Sequence, residues 1–180
     1  MSYKEERYFS IEEYKKIIAL QKDVHEVQIS EISPQDLVQL WSTTLENGMH
    51  GISFSAYEEG QKPGDIITED QVRRRMKIIA PYTKWVRSFS CTEGNEHIPV
   101  IAHEFGIKTL VGAWLGDNSE VNEREIEGLI KLSNEGFVDI AAVGNEVMFR
   151  KDMTEVELLD FIKRVKKAIP SSIPVGYVDN

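Results

Sequence analysis

Short apolar runs and amphipathic helical stretches alternate along this chain, and that alternation leaves few folds open. Residues 49–54, 85–89, 108–114 and 138–143 are rich in small and β-branched types, and residues 175–178 begin a fifth such run. Unbroken apolar runs this short read as strands buried on both faces, the kind found in parallel sheets. Helical periodicity fills the gaps. Thr68 caps a stretch carrying Val72, Met76 and Ile79, ended by Pro81. A second helix covers about 97–105, with Gly106 at its C-cap. A third, 122–135, turns Ile126, Leu129, Ile130 and Leu132 inward and closes at Gly136. Thr154 caps a fourth, carrying Val156, Leu158, Leu159, Ile162 and Val165, which Ile169-Pro170 stops.

Residues ahead of the first strand read differently. Ser10-Ile11-Glu12-Glu13 has the form of a capping box, followed by Tyr14, Ile17, Ile18 and Val24 at helical spacing. Ser33 and Pro34 open another helix as N-cap and first residue. Its apolar face is Leu37, Leu40, Trp41 and Leu45, and Asn47-Gly48 ends it.

Strand–helix alternation with polar loops at one end predicts an α/β fold built of βα units around a parallel sheet. It suits a TIM-type barrel better than a dinucleotide-binding sheet, because no Gly-x-Gly-x-x-Gly follows the first strand. A full barrel takes eight strands and about 200–250 residues. This chain of 180 residues shows four complete units and the start of a fifth. The expectation is an N-terminal helical extension over 1–47 and a parallel (β/α) half-barrel over 48–180. Two bare strand edges and half of an apolar core then need cover. A homodimer, a complementing C-terminal half-barrel or the N-terminal helices would supply it.

Composition narrows the partners. Apolar content is 41%, charged content 28% and net charge −9. Without an excess of Lys or Arg, nucleic acid and anionic membrane are poor partners, and a neutral substrate fits. Cys91 is the lone cysteine, so no intrachain disulfide forms. The charged start lacks an apolar signal segment, and no apolar run reaches the roughly 18 residues of a membrane span. A cytoplasmic protein is the expectation. His25, His50, His97 and His103 show no metal-ligand spacing, and neither metal nor cofactor is expected.

Chemistry is expected where the fourth strand ends, at Gly144-Asn145-Glu146. Ligands of parallel α/β folds sit outside the carboxyl ends of the strands. An Asn-Glu pair there is also a common loop start or helix N-cap. Arg87, near the end of the second strand, either faces a substrate or makes a structural ion pair. Trp114 and Tyr177 end strands, where an aromatic either stacks on a ligand or fills the core. Tyr57 lies near the same mouth. Glu93 reads as a solvated loop charge, and Cys91 as a small buried residue.

With the strands placed, several stretches resemble the bacterial branch of glycoside hydrolase family 17, β-1,3-glucanase-like enzymes of the large retaining clan of barrel glycosidases. They are Met49-His50-Gly51-Ile52-Ser53-Phe54-Ser55, Arg73-Arg74-Arg75, Ile79-Ala80-Pro81-Tyr82-Thr83, the run from Val86 to Thr92, the run from Thr109 to Gly116, Val143-Gly144-Asn145-Glu146-Val147, and the run from Pro174 to Asp179. They occur in order and cover most of the chain from about residue 45. The resemblance implies that Glu146 is the general acid/base, the proton donor, and that Asn145 hydrogen-bonds the sugar's 2-hydroxyl. It implies a β-glucan or oligosaccharide substrate, cut by hydrolysis or passed on by transglycosylation. Arg87, Trp114, Tyr57 and Tyr177 are the further substrate-binding candidates. In such enzymes the nucleophile is a second glutamate on the seventh strand, which this sequence does not contain. Retaining cleavage needs two carboxyl groups about 5–5.5 Å apart, so the chain alone is expected to be inactive. The alternative is a non-catalytic half-barrel that assembles as an oligomer.

Overall fold

The computed structural model describes residues 32–179. The helix expected after Ser10, and His25 with it, lie outside the described residues. The chain divides into two compact units, Met1–Thr43 and Thr44–Asn180. Helix α1 spans Pro34–Asn47. Ser33 starts it as expected, its Oγ accepting the Asp36 N–H at 3.1 Å. No side chain of α1 is buried, and Leu40 and Trp41 of its expected apolar face are exposed.

The second unit is built on one five-stranded sheet. Its strands are β1 (Ile52–Ser53), β2 (Trp85–Ser88), β3 (Lys108–Ala113), β4 (Ile140–Asn145) and β5 (Val175–Val178). All pair in parallel, in sequence order. Helices α2 (Glu69–Ile79), α3 (His97–Glu104), α4 (Ser119–Asn134) and α6 (Glu155–Ala168) connect them. A single turn, α5 (Val147–Arg150), follows β4 directly. This is the parallel (β/α) half-barrel that the alternation predicts. No helix among the described residues is long and apolar enough to cross a membrane.

Local chemistry sets the boundaries. Thr68 caps α2 by accepting the Gln71 N–H. Thr154 and Glu157 form a reciprocal capping box at the start of α6. α4 begins at Ser119, ahead of the expected Asn122, because the Asn118 side chain takes the Glu120 and Val121 N–H groups. Pro81 does not end the helical path outright, since Ala80–Tyr82 continue as one 3₁₀ turn. The expected first strand is reduced to β1 and an isolated parallel bridge between Met49 and Thr83.

Register separates the two sheet faces. Laterally paired residues share a face, so Ser53, Arg87, Leu110 and Ile140 line one side. Val86, Val111, Ala141 and Val143 line the other. The second side is buried under the helices, against Ile126, Leu129, Leu158 and Val165 around β3 and β4 and against Val72, Met76, Ile98 and Ile101 around β1 and β2. The first side is the concave one. Leu110 and Ile140 are only half-buried there, and Ser53 and Gly176 are exposed. Stability of the described unit therefore comes from the helix-covered layer, where each fully buried aliphatic side chain contributes about 1.5–3 kcal/mol.

That asymmetry is measurable by urea unfolding. Leu129→Ala, in the covered layer, is expected to cost about 2–5 kcal/mol. Ile140→Ala, on the concave face, is expected to cost only about 1 kcal/mol. Equal costs would show that the concave face is packed in solution.

Candidate active site

The end of β4 breaks the strand's alternation. Val143 faces the helices, where it is fully buried. A Cβ on Gly144 would also point that way, 3.4 Å from Leu158 Cδ1 and Val147 Cγ1. The ladder to β5 shifts register between Ala142 and Asn145. Gly144 accommodates this bulge with φ +82°, a conformation that side-chain-bearing residues rarely take. The shift turns Asn145, which strict alternation would send toward the helices, onto the concave side. There its Oδ1 accepts a hydrogen bond from Arg87 Nη2. Arg87 also lies over the Phe89 ring, 4.6 Å from its centre. Among the described residues no carboxylate pairs with Arg87. A guanidinium has donors only, so the atom facing it must be the amide oxygen. The Asn145 NH₂ is left to donate elsewhere.

Glu146, the next residue, is half-buried and sits in the left-handed region with φ 54° and ψ 22°. A non-glycine residue there carries roughly 1 kcal/mol of strain or more. Three bonds hold the turn. The Glu146 N–H donates to Val178 O at 2.8 Å, and the Arg150 N–H donates to Glu146 O at 2.9 Å. Arg150 Nη1 donates to the Asn145 carbonyl. The remaining Arg150 donors reach Leu115 O at 2.9 Å and Asp152 Oδ2 at 2.7 Å. One guanidinium thus ties the end of β4 to the end of β3.

A buried carboxylate organises the neighbouring loops. Glu125, on α4, is 2% exposed. It accepts from Ser90 Oγ at 2.5 Å, Thr92 Oγ1 at 2.6 Å, Cys91 N–H at 2.8 Å and Trp114 N–H at 3.1 Å. Four donors from two strand ends satisfy a charge that would otherwise be too costly to bury. Gly128, one turn further along α4, lets the helix approach, since a Cβ there would stand 2.7 Å from Cys91 O. Sequence reading missed both Glu125 and Arg150. Glu125 lies in an amphipathic helix rich in acidic residues, where one more Glu carries no signal. Its partners, Ser90 to Thr92, are more than thirty positions away.

Beside these loops lies a groove of about 420 Å³. Phe54, Tyr57, Phe89, Trp114 and Glu125 are among its lining residues. Trp114 is 40% exposed, with the Arg150 guanidinium 4.6 Å from its ring centre. Tyr57 accepts a long bond, 3.5 Å, from Asn95 Nδ2. Glu93, expected as a solvated loop charge, also lines the groove. The structure therefore gathers Asn145, Glu146, Arg87, Trp114 and Tyr57 around the carboxyl ends of the strands. Tyr177 does not join them. The β5 register turns its ring to the helix side, where it packs on the core. Its hydroxyl accepts the Met148 N–H at 3.1 Å and donates to Asp179 at 2.8 Å. Burial, with the Asp179 carboxylate adding, raises its pKa above the ordinary phenol value. Cys91 is a core residue, and burial pushes its thiol well above the usual range. Among the described residues no group of three or more His, Cys, Asp or Glu is arranged to hold a metal.

Two substitutions separate support from strain. Glu125→Gln turns an all-acceptor group into one that faces its donors with an NH₂, and is expected to cost about 2–3 kcal/mol in urea unfolding. Glu146→Gly relieves the left-handed turn and is expected to leave stability unchanged or to raise it by up to about 1 kcal/mol. A clear loss of stability in Glu146→Gly would show that the side chain, not the backbone, matters to the fold.

Comparison with known proteins gives the chain a family. The BtgE/BtgC glycoside hydrolase domain matches residues 51–180. A glucan 1,3-beta-glucosidase, BGL2, of Candida albicans is 22% identical over 119 residues, 58% of this chain and 39% of its own length. A glucan endo-1,3-beta-glucosidase, btgC, of Emericella nidulans is 25% identical over 114 residues, 56% of this chain and 17% of its own. Among solved structures, an active-site mutant of the Rhizomucor miehei beta-1,3-glucanosyltransferase in complex with laminaritriose superposes with a TM-score of 0.62. It is 25% identical, over 74% of this chain and 50% of that one. The chain thus spans well under half the length of the curated relatives. The match nevertheless extends over residues 51–180, the range that holds all five strands, and the chain belongs to the BtgE/BtgC glycoside hydrolase domain family.

Proposed function

We propose that this chain carries the acid/base half of a retaining enzyme that cleaves or transfers β-1,3-glucan. The observation that carries the reading is the turn at the end of β4, where the Gly144 bulge sends Asn145 onto the concave face and the left-handed Glu146 follows it. The laminaritriose bound by the Rhizomucor transferase names the class of sugar. On this reading Glu146 gives its proton to the glycosidic oxygen as that bond breaks, while a second carboxylate bonds to the anomeric carbon. Glu146 then takes a proton from the incoming water or sugar hydroxyl, whose oxygen displaces the carboxylate. Asn145, its oxygen engaged by Arg87, donates from its NH₂ to the 2-hydroxyl oxygen. The reading puts the second carboxylate on a later strand that this sequence does not contain, so the chain by itself should bind glucan without turning it over. The half-buried Leu110 and Ile140 favour, as a second reading, a non-catalytic half-barrel that covers this face with another copy.

Laminaritriose added to ¹⁵N-labelled chain is expected to shift the Asn145 side-chain amide and the Trp114 indole signals, with no sugar released. In a barrel completed by the nucleophile-bearing half, Glu146→Gln is expected to lower turnover by about 10²–10⁴-fold. Turnover that survives Glu146→Gln would remove Glu146 from the role of proton donor. A sugar-indifferent spectrum from a stable dimer would favour the second reading.

A further inference from the structure

The groove's aromatic platform is held from behind by a residue that lies outside the groove. We propose that Arg150 is a positioning residue that fixes Trp114 as a one-sided stacking surface for a glucose ring, an inference that rests on the glucan reading above. Its guanidinium lies 4.6 Å from the Trp114 ring centre. Trp114 lines the groove and Arg150 does not, so the surface that Trp114 offers to a ligand is the one that Arg150 leaves bare. Other contacts leave the cation little freedom. Its Nη1 and Nη2 grip the Asn145 and Leu115 carbonyls, and its Nε is paired with Asp152. Leu115 is fully buried and directly follows Trp114, and the Trp114 N–H is itself held by Glu125. Backbone and ring of Trp114 are thus fixed from two independent directions.

A ring already held in place loses little rotamer freedom when a sugar stacks on it, and a loose ring loses more. The same guanidinium closes the peptide ahead of Glu146. Arg150 therefore couples the platform to the turn that carries the proposed proton donor, by geometry alone and without touching sugar.

Arg150→Gln removes the cation and the fork, whereas Arg150→Lys keeps the charge but lacks the planar fork that lies on the ring while reaching two carbonyls and Asp152. The test reads three signals in each full-length variant. They are the thermal midpoint, the Trp114 indole ¹⁵N–H signal (assigned with Trp114→Phe) and the laminaritriose dissociation constant from titration. Both variants are expected to move the Trp114 signal before any sugar is added. Both should bind laminaritriose about three- to tenfold more weakly, with Lys failing to restore wild-type affinity. Wild-type affinity in either variant, or an unmoved Trp114 signal in Arg150→Gln, overturns the proposal. Should the wild-type chain bind no laminaritriose while Arg150→Gln still moves the Trp114 signal, the glucan reading falls and only the positioning of Trp114 by Arg150 stands. If Arg150→Gln unfolds, Arg150→Lys decides by the same signals, wild-type values again overturning the proposal.

Discussion

Everything at the carboxyl ends of β2 and β3 depends on one buried carboxylate finding enough donors. Glu125 lies in the core side of α4, where an unpaired charge would be untenable. Ser90, Cys91, Thr92 and Trp114 meet it with four hydrogen bonds. The loop after β2 and the end of β3 are thereby given one conformation. Groove walls follow from that: the aromatic side chains on either side of this carboxylate stand where their backbones have been pinned.

At β4 the constraint is different in kind. There the backbone leaves the strand conformation twice in three residues, at Gly144, where glycine takes a positive φ freely, and at Glu146, where it is strained. Such bends persist where the surroundings over-determine them, and here Arg150, Val178 and Arg87 do so. The bulge redirects Asn145, and the left-handed turn sets Glu146 off from the strand direction. Both departures fall within the stretch that the resemblance to a glycosidase marks out. Regular β-structure would have hidden the amide among the helices, so the irregularity is what makes the pair available to a ligand.

Much of this architecture was legible in the residues. Five apolar runs and their intervening caps, Thr68 and Thr154 among them, are local signals, and the strands and helices appeared where those signals lay. Gly144-Asn145-Glu146 stood out because a polar pair directly after a buried strand is unusual. What could not be read was long-range. The Glu125 network joins positions more than thirty residues apart, and the Arg150 fork needs the ends of β3 and β4 to be neighbours first. Tyr177 stayed open between two roles for a related reason: a strand-end aromatic has two faces to choose from, and the register of β5 against β4 decides. The one-turn helix α5 is too short to show any periodicity.

Gly128 gives this arrangement a vulnerability that its location does not advertise. The residue is on α4, one turn past the carboxylate, and its missing side chain is what lets the helix lie against the Cys91 peptide. Any bulk acquired there acts as a wedge. The helix would be levered outward and would carry Glu125 with it, and loops that never contact position 128 would lose their common acceptor. Loss of the groove's shape would therefore follow from a change that no inspection of the groove's own walls would reveal.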